Sequence, residues 1–543
     1  MPGLVSLPVE LLQEVLSLLE DDALCALCGT CQTLRAYAEP FLYESITYTF
    51  YSDDDKDIPG PPSIDGLFTA IWRRPELAAY VKRAYFVVTG DSLYFDTELR
   101  ELPPSEEHVD SWVEAILDLD ESLQDRISEE VVSGNVGALT AVLLSRLHNL
   151  EALEMDFTVP CSSDAIADVL KASASPSTSG NASGFQQLEE LRVINNRDGR
   201  VLRYDDSQSI PDALLHLPNL REAEIILQEP VAAPSAEDPI RLNHLTRLSI
   251  LNAGASPKDL AIILKFTPQL ETLEYFLGQD FEELKNDRRY RCEYRNEWAA
   301  FAEAVNTVAG SLKELIISVD WAHIDDYPPE DMDTDWVNGI WERRGRVGSL
   351  KSLVCLERLE VPIVALLGWE PSTAPDRLQD ILPMGLRELC LRDDLIDEHH
   401  YRWTRWQHFV IGRNLAQSFH DTCNPTDLLE RLRRYLDAVG TELESDSARK
   451  FGLESLVLKA QLDRVWPDKY LEQLRMMSQA AGVSAAVRMR MSGFLTSYDS
   501  WNDEVKEMIL EAIPGQDMES MEGRIPYECR YFDEPRRQFR SND

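Results

Sequence analysis

Apolar residues recur along most of the chain in one spacing, a leucine followed three positions later by a second apolar residue and two further on by a third. The sets are Leu150/Leu153/Met155, Leu188/Leu191/Val193, Leu220/Ala223/Ile225, Leu245/Leu248/Ile250, Leu270/Leu273/Tyr275, Leu312/Leu315/Ile317, Leu356/Leu359/Val361, Leu386/Leu389/Leu391 and Leu453/Leu456/Leu458. The last two members of each set lie two apart, on one face of a short strand, and the first closes the turn ahead of it. Helix-like stretches separate them, such as residues 257–264 and 298–305. One strand and one helix per unit predict an α/β solenoid, each unit stacking on the next.

The pattern is that of an irregular leucine-rich-repeat horseshoe. Only the steps between 220, 245 and 270 fit the usual roughly 20 to 29 residues, so the longer steps must hold insertions. One is the small-residue run 173–180, and an aromatic cluster (Tyr401, Trp403, Trp406) and a helix over 427–439 fall in the irregular stretch 395–450. A further unit is expected at Val81/Ala84/Phe86 and a terminal one over 483–491. Residues between the inward positions face the open side of the sheet. These include Glu190, Arg192, Arg247, Ser249, Thr272, Glu274, Glu314, Ile316, Arg358, Glu360, Glu388, Cys390, Ser455 and Val457. From this face, Glu190, Arg192, Arg247, Thr272, Glu274, Arg358 and Glu388 are the candidate target-binding residues, arginine being a frequent interface anchor. Any half-exposed strand alternates in this way, so the bland reading stays open.

The first fifty residues follow another rule. Pro8 suits the start of a helix, and Leu11, Leu12, Val15, Leu16, Leu18 and Leu19 recur at spacings of three and four, a stripe too wide for one buried face. Asp21 and Asp22 open a second helix, Gly29 and Thr30 break it, and a third is expected to stop at Pro40. Three short helices bury little, and a unit of that size usually needs a partner.

Leu7-Pro8 through Glu10-Leu11-Leu12, Cys31-Gln32-Thr33-Leu34 and Pro40-Phe41-Leu42-Tyr43 together resemble an F-box in the form found in fungal F-box proteins. The segments around Leu356–Pro362 and Leu382–Leu389 are similar to the C-terminal repeats of fungal F-box leucine-rich-repeat proteins. The resemblance implies docking on the adaptor subunit of SCF-type ubiquitin ligases, and through it on cullin, by way of Leu7, Pro8, Leu11, Leu12, Val15 and Leu16. It also implies a protein target held by the repeats. The alternative is a non-ligase scaffold whose first helices merely cap the solenoid. The expected layout is an F-box-like domain over 1–50, a linker and N-cap over 51–80, repeats over 81–510 and a tail over 511–543.

Charge narrows the partners. With 53 basic and 95 acidic side chains, a formal charge of −42, the chain is a poor match for nucleic acid or anionic membrane. No apolar run spans a bilayer and no signal peptide is evident, so cytosol or nucleus is expected, with the nine cysteines reduced. The acidic run 53–57 lacks the glycine and distal glutamate of a calcium loop. Cys25, Cys28 and Cys31 repeat every third residue as in an iron–sulfur run, but Arg35 stands where its fourth cysteine belongs. His399 and His400 beside Asp397 and Glu398 fit an exposed turn better than a metal site. No phosphate loop, dinucleotide fingerprint, His-Glu-x-x-His or nucleophile elbow is present, so neither an enzyme nor a cofactor is expected.

Overall fold

The computed structural model describes residues 4, 7–51, 64–89, 105, 108–119, 121–174, 185–194, 210–227, 242–251, 257–279, 297–321, 344–368, 374, 377–392, 394, 426–443, 452–461, 468–490 and 507–510. The acidic run 53–57, the 175–180 part of the small-residue run, the aromatic and histidine cluster over 395–425 and the tail from 511 lie outside them. The chain forms two compact units, one made of residues 1–196, 202–255 and 265–270, the other of 197–201, 256–264 and 271–543.

In the first unit, strands β1 (Ser45–Tyr51), β2 (Arg83–Thr89), β3 (Ala152–Asp156), β4 (Glu190–Ile194), β5 (Glu222–Ile226) and β6 (Arg247–Leu251) run parallel in chain order. Their register aligns Ile46, Ala84, Leu153, Leu191, Ala223 and Leu248 in one buried row. The second unit repeats this in β7 (Thr272–Gln279), β8 (Glu314–Trp321), β9 (Arg358–Pro362), β10 (Glu388–Arg392), β11 (Ser455–Gln461) and β12 (Ser484–Arg490). Here Leu273, Leu315, Leu359, Leu389 and Leu456 form the row, and β13 (Glu507–Leu510) closes antiparallel on β12. Both units therefore have an α/β solenoid-like arrangement. The unit expected at Val81/Ala84/Phe86 is β2, and β1 adds a strand ahead of it.

One backbone device repeats at the strand starts. The Glu44 carbonyl accepts from both Lys82 N and Arg83 N, that of Lys82 from Glu151 and Ala152, that of Glu151 from Glu189 and Glu190, and that of Glu189 from Arg221 and Glu222. In the second unit the carbonyls of Glu271, Lys313, Glu357 and Arg387 each take the corresponding pair from the next strand.

The long step from β2 to β3 holds helices. Helix α4 (Ile64–Arg73) precedes β2 with the short α5 (Pro75–Ala78), inside the stretch expected to be linker. After β2 come α6 (Val109–Leu117), α7 (Glu121–Ser133) and α8 (Val136–Leu144). Buried Asp65 on α4 ties the insertion down. It accepts from Trp112 Nε1 at 2.7 Å and Ser105 Oγ at 3.0 Å, and sits 2.7 Å from His108 Nδ1. Phe68 stacks on Trp112 at 3.6 Å, and Arg146 lies over Trp72 at 4.7 Å. Every residue of α8 is buried, and its Gly137 is obligatory. A Cβ there would lie 2.6 Å from Ser162 Oγ, the atom that accepts from Gly137 N.

Candidate functional site

The head comprises α1 (Val9–Leu16), α2 (Asp21–Cys28) and α3 (Gln32–Leu42). Pro40 lies inside α3 instead of stopping it, the helix running on to Leu42. Cys31 caps α3, its Sγ accepting from Leu34 N at 3.5 Å. Cys28, half-buried against the head core, has its thiol pushed up by that burial. Among the described residues no cluster of histidine, cysteine and carboxylate side chains is placed to hold a metal ion.

The wide stripe of α1 resolves into two, each with members four and three apart. Leu12 and Leu16 are buried, and with Leu24, Leu34 and Ala38 they form the head's own core, against which Leu19 packs. Leu11, Val15 and Leu18 lie on the neighbouring face, with Leu11 49% and Leu18 81% exposed. Leu4, Leu7 and Val9 are exposed as well, and so is Pro8. The docking set read from sequence therefore divides. Leu7, Pro8, Leu11 and Val15 are accessible, whereas Leu12 and Leu16 are not, because two helices must be held against α1 before it can present anything. Leu18, omitted from that set, is the most exposed large apolar residue of the group.

Within the first unit the head is fastened to the segment that follows it by a bidentate pair. Arg74 donates from Nη1 and Nη2 to the two Glu39 oxygens at 2.7 and 2.8 Å. The Arg74 hydrogen bond holds the Glu39 carboxyl below its ordinary range. Beside this joint, Gln13, Tyr37, Phe41, Tyr80 and Lys82 line a shallow groove.

The open face of the strands is the second candidate. All seven residues singled out there, Glu190, Arg192, Arg247, Thr272, Glu274, Arg358 and Glu388, are half-buried. They do not stand alone. Arg192 pairs with Glu190, and Arg358 donates to Glu314 at 2.6 Å and lies 3.1 Å from Glu388. The next row was expected to project into the open. Instead Ser249, Glu360, Cys390 and Val457 are buried. Glu360, 1% exposed, accepts from Lys459 Nζ at 2.8 and 2.9 Å and from Arg392. Arg392 also donates at 2.8 Å to buried Asp394, which accepts from Val319 N at 2.9 Å. Burial alone would push the Glu360 carboxyl up, but Arg392 and Lys459 outweigh it and hold it at about 2. Glu297 shows the opposite balance. It is buried with Arg344 at 3.2 Å as its cation, and burial pushes its carboxyl above the ordinary range.

A comparison with protein families matches residues 4–49 to the F-box-like family. The chain thus carries an F-box-like domain at the three-helix head, the kind of domain that binds the adaptor subunit of SCF complexes. No curated protein matches the chain.

Proposed function

We propose that this chain is the substrate-recognition subunit of an SCF-type cullin–RING ubiquitin ligase. The observation that carries the reading is the exposed stripe Leu11, Val15 and Leu18 on an F-box-like head whose core is already filled by Leu12 and Leu16. A surface that a small domain leaves apolar after completing its core is a docking surface. The adaptor, with cullin beyond it, would cover this stripe together with Leu7 and Pro8. The repeats, read as leucine-rich repeats, would hold a protein target on their open face through residues such as Arg192, Arg247 and Arg358. In this reading the chain transfers no ubiquitin itself and uses no cofactor. It raises the effective concentration of a target lysine near the charged conjugating enzyme, in cytoplasm or nucleus.

Co-purification tests it. The wild-type chain is expected to retain the adaptor, and Leu11→Asp with Val15→Asp to lose it without change in melting temperature. Retention of adaptor by that variant, or its absence from the wild-type complex, sinks the reading and leaves a scaffold with a capping helical head.

A further inference from the structure

Helix α6 is apolar on more of its circumference than it buries. Trp112, Ala115 and Ile116 are buried, with Trp112 on Phe68 of α4. Val113 and Leu117, one turn apart on an adjoining face, are 39% and 62% exposed. Asp110 and Glu114, also one turn apart and both exposed, border them, and exposed Glu121 begins the next helix. The corner between the helices is fixed, because Gln124 Nε2 donates to the carbonyls of Leu117 and Leu119 at 3.2 and 2.9 Å. Arg146 donates to Asp118 at 3.0 Å and to the Ala115 carbonyl at 2.9 Å.

The carboxylates of this region fall into two groups, those with a cation and those without, the second including exposed Asp125 and Glu129 of α7. Asp118 has Arg146 and Asp168 has Arg126, whereas among the described residues Asp110, Glu114 and Glu121 carry no ion pair. The face thus offers two aliphatic side chains at helical spacing beside three uncompensated negative charges. Acidic peptides, phosphate backbones and anionic lipid are repelled from it. A helix with leucine-type residues on one face and lysine or arginine along its edge satisfies both features, its anchors meeting Val113 and Leu117 and its cations the carboxylates.

We propose that the α6 face formed by Val113, Leu117, Asp110, Glu114 and Glu121 is a docking site for a basic amphipathic helix of a protein partner. The site lies on the insertion between β2 and β3, away from the α1 stripe in sequence, and does not rest on the ligase reading.

The test uses the full chain and a fluorescein-labelled peptide of about 18 residues made of leucine and lysine, with leucines at i, i+3, i+4 and i+7. A scrambled isomer and polylysine of equal charge serve as controls, and binding is read by anisotropy at two salt concentrations. The helical peptide should bind at least about tenfold tighter than either control, and more weakly at high salt. Val113→Ser with Leu117→Ser should reduce affinity about tenfold. Asp110→Lys with Glu114→Lys should do the same and flatten the salt dependence. Neither pair touches the buried face of α6, and unchanged melting temperatures verify that both variants fold. Equal binding of polylysine would mean a diffuse field and overturn the proposal. So would affinity unchanged in both variants, or tighter binding to phosphatidylserine vesicles than to the peptide. Adaptor co-purification with the same variants should be unaffected, which separates failure here from failure of the ligase reading.

Discussion

Replacing Glu360 by Gln should destabilise the second unit by about 3 kcal/mol at neutral pH. The side chain is 1% exposed, and its cations are hardly more accessible, Arg392 and Lys459 having side chains 9% and 15% exposed. The amide removes the counter-charge while both cations stay in place, and truncating one partner of a buried pair costs about 3–5 kcal/mol. The titration behaviour gives the same scale. The carboxyl is held at about 2 in the folded chain against an ordinary 4.5, and each unit corresponds to about 1.4 kcal/mol, so ionisation favours folding by about 3 kcal/mol. Because the folded value lies below the unfolded one, this stabilisation is complete above pH 4.5, fades as the pH falls, and is gone below about 2. Glutamine does not titrate, so the gap between wild type and variant must narrow over the same window. Urea denaturation at pH 7, 4 and 2.5 measures the gap, and hydrogen exchange of the β9–β11 amides localises it to the strands carrying the network. A gap under about 0.5 kcal/mol at pH 7, or one that stays constant on acidification, would refute the argument.

Leu16→Ala should cost the head about 2–5 kcal/mol, since Leu16 is fully buried in its core, whereas Leu18→Ala should leave stability within about 0.5 kcal/mol and weaken adaptor binding; thermal melts and co-purification separate the two. Arg344→Leu should cost about 3–5 kcal/mol at pH 7 by leaving Glu297 buried without its cation, and less near pH 5, where that carboxyl takes up a proton more readily; denaturation at the two pH values checks it. Reversing Arg192, Arg247 and Arg358 to Glu together should lower the melting temperature as well as abolish target capture, because a carboxylate at position 358 would meet Glu314, Glu360 and Glu388. An unchanged melting temperature would show that Arg358 is not held by those three.

The strands were legible because their signal is local. Two apolar positions two apart, preceded by a leucine three before, mark a strand without reference to anything distant, and the sets so marked fall in common register within each unit. What lay beyond the sequence was which polar or apolar position a neighbour would cover. On α1 the stripes Leu11/Val15/Leu18 and Leu12/Leu16/Leu19 are equally hydrophobic, and only the placement of α2 and α3 decides that the second is core. On β9 the alternation correctly sets Glu360 opposite Leu359, yet its cations come from β10 and β11, 32 and 99 residues on. Arg392 and Lys459 each sit three and one residues past the two inward leucines of their own sets, a coincidence that could have signalled the network. The insertion helices are tied to α4 through Asp65, a single acid whose partners lie some 40 residues away, and nothing in its surroundings marks it.

Irregular repeats face a difficulty that regular ones avoid, since steps of very different length must still deliver each strand in the same register. The shared carbonyl at the starts of β2–β6 and β8–β11 answers it. One acceptor takes the first two amides of the next strand, so register is set at the entry to the strand and whatever lies in the preceding insertion is immaterial. Side chains at these acceptor positions add a further constraint in the second unit, where Glu271, Lys313, Glu357 and Arg387 alternate in sign and pair at 2.7 Å between Lys313 and Glu271 and 4.0 Å between Arg387 and Glu357. Exposed pairs of this kind add little stability, at most about 1 kcal/mol each. Their contribution is discrimination: a strand docked one repeat out of place would set like charges side by side, and the cost of that error, not the strength of the correct pair, favours the observed order. The insertions, freed from any part in fixing the register, are where such a chain can carry surfaces of other chemistry, and the acid-rimmed face of α6 stands on the longest insertion of the first unit.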